Sequence, residues 1–193
     1  MVQTLERENL TTIDTKPKKF VVWLFVVSST IMFGGFTSYY IVFAASKGKG
    51  HGLVLPEVFT YSTLVLLVSS IALFLARKAF KNGNLSLQKS LLWITMVLGI
   101  AFAYLQFDAW SNLFQTGAAL INNNAAISMI YVVSGFHLLH IIAGICFLAV
   151  TLRGVYTHAE VSIRRYHMDI ASIFWHFIDI LWIYLYVFLL LNS

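Results

Sequence analysis

The amino-acid sequence predicts an all-α, polytopic membrane protein: a bundle of five transmembrane helices with a cytoplasmic N-terminus and a periplasmic C-terminus. Three observations predict this fold. The chain is 59% hydrophobic and only 11% charged, with a mean hydropathy of +0.80, whereas an average soluble domain has roughly a quarter of its residues charged. Its apolar residues gather into five runs, at about 20–46, 56–76, 90–107, 125–152 and 170–191, each meeting the roughly 17–25 residues that a helix needs to cross ~30 Å of hydrocarbon. Finally, eleven of the 13 basic residues fall on one side of those runs and only Lys47 and Lys49 on the other. Lys and Arg of short loops stay in the cytoplasm, which places the N-terminus inside.

Residues 1–19 form a polar cytoplasmic tail, too mixed in charge and too poor in core residues to fold alone, and residues 20–193 form the transmembrane domain. The first run holds Gly34 and Gly35, which point to close helix packing or a kink. It exceeds the span required, so it tilts or projects, and it is too long and lacks the cleavage site of a signal peptide. Pro56 stands where the second helix begins, a position at which a missing N–H costs nothing. Asn82, Gly83 and Asn84 break the chain after it. Gln106 and Asp108 stand near the outer end of the third helix, placed to meet a partner subunit or lipid headgroups. Asp108 to Asn124 carries no basic residue and closes on three asparagines, and is read as an outside loop.

Several function classes drop out. The single cysteine, Cys146, supports neither a disulfide, nor a thiolate metal site, nor a c-type haem attachment. The formal net charge of +5 is scattered between helices instead of forming the aromatic-laced basic face of a nucleic-acid binder. No nucleotide loop, catalytic triad or metal cluster is present. The sixteen Phe, nine Tyr and five Trp are read as helix packing and interfacial anchors.

Polar residues inside the apolar runs carry the remaining information, because a titratable group at depth costs a few kcal/mol. In the fifth run Ser172, His176 and Asp179 share a face, and entry near Ile170 puts Asp179 roughly 13 Å deep at 1.5 Å per residue. The antiparallel fourth run carries His137, His140 and Gly144 on one face near its middle. A hydrogen bond between a histidine of helix four and Asp179 is therefore expected, as a register-fixing contact of about 0.6–2 kcal/mol. Haem ligation needs an imidazole on each face of the ring, which two histidines on one helix face do not supply. A proton path needs a chain of carboxylates, and Asp179 is alone at depth: Glu57 and Asp108 lie at outer ends and Glu160 in a loop. Lys16 to Lys19, Arg77, Arg153, Arg164 and Arg165 offer charge to anionic headgroups, about 1 kcal/mol each near the surface.

These residues carry a family resemblance. GFHLLHIIAGICFL at 135–148 and FWHFIDILWIYLYV at 174–187 resemble two signature stretches of subunit III of haem-copper terminal oxidases, and WLFVVSSTIMFGGFTSYYIVF at 23–43 and LPEVFTYSTLVLLVSSIALFLA at 55–76 resemble its preceding helices. The resemblance implies an accessory subunit of a respiratory oxidase in a bacterial inner membrane, reducing O2 to water with proton pumping. By the same resemblance the chain has no catalytic, metal or cofactor site of its own. The haems and copper belong to partner subunits I and II, and subunit I is the main partner, alongside other respiratory-complex subunits and structural phospholipid. His137, His140, Trp175, His176, Asp179 and Trp182, with Gly144, are implied to form an internal packing network.

Cytochrome c is the expected electron donor. The alternatives are a quinol oxidase or the small subunit of a nitric oxide reductase cluster, and, in another class, a free-standing membrane haem protein or a transporter, the last lacking paired broken helices. Two departures stand out. Many members have a glutamate in a W-L-F-x-x-S-E pattern where this chain has Ser29. Longer members also add two N-terminal helices that frame a lipid-filled cleft, which here is absent or completed by another subunit.

Overall fold

In the computed structural model the described residues, 15–47, 57–115 and 125–192, form five helices and no strand. We label them α1 (Thr15–Lys47), α2 (Val58–Lys81), α3 (Leu85–Gln115), α4 (Ala125–Tyr156) and α5 (Val161–Asn192). Each contains a stretch long and apolar enough to cross a membrane. The orientation signals from residues 1–14, from Lys49 and from Asn122 to Asn124, together with Pro56, lie outside the described residues.

The helices outrun the apolar segments that announce them. A helix need not stop where the hydrocarbon stops, because polar residues in the interfacial water keep the same backbone bonds. Two expectations change as a result. Asp108, expected to open an outside loop, lies within α3, which continues to Gln115. Arg164 and Arg165, expected between helices, lie in the first turns of α5, which starts at Val161 rather than near Ile170.

The α2–α3 turn forms where the sequence breaks. Gly83 takes a φ of 73°, a left-handed conformation that only glycine adopts without a Cβ clash. Asn84 N–H donates to the Ala79 carbonyl at 3.0 Å, and the Asn84 side-chain oxygen accepts from the Leu87 N–H at 3.1 Å, capping α3. The α4–α5 connection also uses a left-handed residue, His158 at φ 49°.

Helices α2, α3, α4 and α5 form a four-helix unit in which neighbouring backbones approach closely and those on the α2–α4 and α3–α5 diagonals do not. α1 lies outside it, in the groove between α4 and α5. The centre of the unit is filled by large side chains, and Trp175, Trp182 and Phe102 are all fully buried. Trp175 spans the diagonal from α5 to α3. An added Cβ at Gly99 would sit 2.7 Å from its ring, and one at Gly144 on α4 would sit 2.9 Å away. Both glycines therefore exist to admit the indole. Gly34 and Gly35, by contrast, would meet nothing within 4 Å of an added Cβ, so the close packing they suggested is not made among the described residues.

Burial of Trp175 against two glycines predicts the response to overpacking. Gly144→Leu is expected to destabilise the protein by about 1–3 kcal/mol, because the ring is enclosed and has no relaxed position to move to. Thermal melting of the purified protein, followed by tryptophan fluorescence, checks this; an unchanged midpoint contradicts it.

Candidate functional site

The chemistry-bearing side chains concentrate on the seam between α2 and α5. Two indoles lie on the inner side of that seam. Trp182 Nε1 donates to Thr63 Oγ1 at 3.0 Å, and Trp175 Nε1 donates to Ser69 Oγ at 3.1 Å. Each hydroxyl spends its own proton on its own helix: Thr63 donates to the Phe59 carbonyl at 2.7 Å and Ser69 to the Leu66 carbonyl at 2.7 Å. A lone pair is thus left facing the indole, which can only donate. On the outer side Thr60 pairs with the Tyr186 hydroxyl at 2.9 Å and Ser70 with His176 Nδ1 at 2.8 Å. Arg77 closes the series by donating to Asp169 at 3.0 Å.

From Thr60 to Arg77 is seventeen residues along α2, and from Tyr186 to Asp169 is seventeen along α5. The rungs therefore keep one antiparallel register over about 25 Å at 1.5 Å per residue.

At the Asp169 end the carboxylate is shared. Lys19 of α1 approaches its other oxygen at 2.8 Å, so one side chain clasps α1, α2 and α5 together. Beside this clasp a cavity of about 610 Å³ opens between the α2–α3 turn and the start of α5. Arg77, Lys81, Arg164 and Arg165 line it, and Asp169 is its lone acidic wall residue. The Arg164 Nε and one terminal nitrogen are buried without a hydrogen-bond partner among the described residues. Lys19 and Arg77 already neutralise Asp169, so the cavity carries a surplus of positive charge suited to an anion. Arg153, grouped with these residues on charge alone, is exposed on α4 and does not line the cavity.

The expected bond between a helix-four histidine and Asp179 is not formed. Residues three apart on a helix differ in direction by about 60°, and α4 has a different neighbour on each side. His140 turns to α1, where its Nε2 lies 3.1 Å from Ser29 Oγ. Its Nδ1 is 2.7 Å from the Phe136 carbonyl. A carbonyl only accepts, so Nδ1 carries the proton and Ser29 donates to Nε2. His137 turns inward instead, 4.7 Å from the Trp182 ring and 5.7 Å from the Phe102 ring. Among the described residues neither of its nitrogens has a hydrogen-bond partner, and no α4 side chain bonds to Asp179.

The group nearest to Asp179 by charge is His176 on the same helix, 3.9 Å away. Ser70 and Asp179 both face the same imidazole nitrogen. A hydrolytic triad needs serine and aspartate on opposite nitrogens, so this is not one. Because α5 starts at Val161, Asp179 stands about 27 Å along it, and about 15 Å beyond the Asp169 clasp.

Gln106 is corrected too. Expected at an outer helix end facing headgroups or a partner, it is buried inside the four-helix unit, because α3 runs more than two turns past it.

Sequence reasoning missed Thr63, Ser69, Ser70 and Asp169, gave Lys19 to lipid headgroups where the structure pairs it with Asp169, and read Ser29 only as a lost carboxylate. The usable signal was hydroxyl residues recurring in the α2 run opposite a helix with two tryptophans, since indole N–H groups in hydrocarbon need acceptors.

Comparison with known proteins bears on these features. The family model described as cytochrome c oxidase subunit III matches residues 6–193. The chain is similar to the cytochrome bo(3) ubiquinol oxidase subunit 3 of Buchnera aphidicola subsp. Baizongia pistaciae, 29% identical over 172 residues that cover 88% of each chain. It is similar to cytochrome c oxidase subunit 3 of Rattus norvegicus, 31% identical over 189 residues, covering 92% of this chain and 70% of that one. It is also similar to the Osphranter robustus subunit 3, 30% identical over 187 residues with the same coverage.

The seam predicts a non-additive pair of substitutions. Thr63→Val leaves a buried indole N–H without an acceptor and is expected to cost about 1–2 kcal/mol. Trp182→Phe costs packing as well, and the double substitution is expected to cost less than the two singles together, because no orphaned donor remains. A double-mutant thermal cycle measures this, and strict additivity speaks against the bond. Ser29→Ala, which strips the donor from His140 Nε2, is expected to cost about 1 kcal/mol by the same measurement.

Proposed function

The chain belongs to the cytochrome c oxidase subunit III family, and from that premise we propose that it is the accessory, cofactor-free subunit III of a bacterial respiratory oxidase. In this reading it lies in the cytoplasmic membrane with the Asp169 clasp on the inner side, packs against subunit I, and leaves O2 reduction to the haems and copper of its partners.

One observation carries the reading: the polar groups that join helix to helix are consumed in doing so. Both indoles of the seam, His140 and Asp169 each tie two or three helices. Among the described residues no group of three or more His, Cys, Asp or Glu is placed to hold a metal ion. His137 and His140 are enclosed by Phe25, Phe33, Phe102, Phe174 and Trp182, so a porphyrin beside either imidazole would have to displace the core. These facts argue against the free-standing haem protein. A rigid bundle whose exposed surface is rich in large apolar side chains suits burial against another membrane subunit.

Cytochrome c is the proposed electron donor. A second reading, quinol, is favoured by the similarity to the ubiquinol oxidase subunit 3, 29% identical over 88% of this chain. The basic cavity is proposed to seat an anionic lipid headgroup through Arg77, Arg164 and Arg165.

Purification of the intact complex tests the whole reading. Subunit I is expected to copurify, with a copper-bearing subunit II and oxidation of reduced cytochrome c for the first donor, or quinol oxidation without that copper for the second. Isolation of the chain alone with a stoichiometric Soret band overturns both. Deleting the chain is expected to leave initial turnover in place and shorten the working lifetime of the enzyme. The combined Arg164→Ala and Arg165→Ala variant is expected to lose anionic phospholipid in native mass spectrometry.

A further inference from the structure

Among the described residues, the buried polar atoms without a hydrogen-bond partner include four that belong to two side chains of α3 and α4: the amide oxygen and nitrogen of Gln106 and both ring nitrogens of His137. Gln106 is 1% exposed and His137 0%. Surrounding contacts bring the two side chains to one level. On one side Trp110 Nε1 of α3 donates to Ser134 Oγ of α4 at 2.9 Å. On the other, Phe102 of α3 meets the His137 ring edge-on at 5.7 Å. Gln106 lies one helical turn from both Phe102 and Trp110 on the same α3 face, and Ser134 and His137 are three residues apart on α4. Gln106 is therefore framed between the two cross-helix contacts, next to His137.

We infer that Gln106 and His137 line an internal binding site for water between α3 and α4, holding at least one ordered molecule. The donor and acceptor inventory fits water. The amide offers two N–H donors and one carbonyl, and a neutral imidazole offers one donor and one acceptor. Ser134 gives its proton to the Ile130 carbonyl at 2.6 Å and accepts from Trp110, which leaves one lone pair for a third contact. A water molecule, with two protons and two lone pairs, bridges such a set, and buried waters characteristically make about three bonds to otherwise unpaired polar groups.

A metal ion does not suit the site, because one imidazole and one neutral amide supply too few ligands. An apolar occupant would leave all four atoms unpaired in a medium where backbone groups have no hydrogen bonds to spare. The site also accounts for Gln106, a costly residue at membrane depth that joins no rung of the α2–α5 seam.

Two measurements on the intact complex containing this chain test the inference. A density map at about 2 Å or better is expected to show a peak within ~3.2 Å of the Gln106 amide and of one His137 nitrogen. An empty gap there, or a direct Gln106–His137 hydrogen bond, overturns it. Gln106→Leu and His137→Phe are each expected to lower the melting midpoint, and the double variant to fall no further than the worse single, because both polar groups and the water leave together. Additive losses overturn the shared site. Should a variant fail to assemble, the map of the unaltered complex decides alone.

Discussion

Everything in this fold depends on one pairing, the indole N–H of a tryptophan on α5 with the hydroxyl of a serine or threonine on α2. Lipid gives two helices no hydrophobic reason to associate, so register must come from packing and hydrogen bonds. An indole supplies both: a large flat surface and a donor that is costly to leave unmet. The hydroxyl suits it because its own proton goes to a backbone carbonyl three or four residues earlier, which orients a lone pair across the seam. Trp175 and Trp182 are seven residues apart, so both indoles project from nearly the same side of α5 toward α2. A slip of one turn would break both bonds together and bring Trp175 against side chains instead of the glycines at 99 and 144.

That seam explains why α5 is the hub. It touches α1, α2 and α4 along its length and reaches α3 through Trp175. The Asp169 clasp fixes one end, where Lys19 and Arg77 arrive from two helices. The charges there are partly solvated, so the clasp contributes modestly to stability and mainly sets orientation. Deeper in, polar contacts become neutral: hydroxyl to indole, hydroxyl to imidazole. This ordering follows the medium, since an ion pair is tolerable near headgroups and expensive in hydrocarbon.

How much of this was legible varies with the kind of signal. The five helices were plain, because a run of eighteen or more apolar residues has few other uses. Their ends were not: Val161 to Asp169 is polar enough to pass for a loop, yet it forms the first turns of α5 in interfacial water. The Asn82–Gly83–Asn84 turn was readable because only glycine accepts its backbone. Within the site, His137, His140 and Asp179 were recognisable as buried and polar, but their partners were not. Choosing between α1, α3 and α5 for a given imidazole requires knowing which helix lies on which side of α4, and a 60° difference between neighbours three apart changes the answer. Thr63, Ser69 and Ser70 escaped notice because one hydroxyl scarcely changes the hydropathy of an apolar run.

Ser29 shows how such a residue is to be weighed. Judged against the family pattern it is a missing carboxylate, which suggests a vacated role. Its environment shows a different economy. His140 has its Nδ1 proton committed to the Phe136 carbonyl, so Nε2 needs a donor, and a neutral hydroxyl provides one without placing a charge near the aromatic rings of Phe25, Phe33 and Phe174. A carboxylate in that position would hold the imidazole either as an ion pair or by keeping a proton of its own, and the first of these buries charge in the interior. The serine makes the same helix-to-helix bond without burying a charge. Asp179, the acidic group that remains in the interior, is not part of the α1 contact, so α1 is held by neutral bonds within the bundle, from Ser29 to His140 and between Thr37 and Tyr184, and by the Lys19 ion pair at its edge.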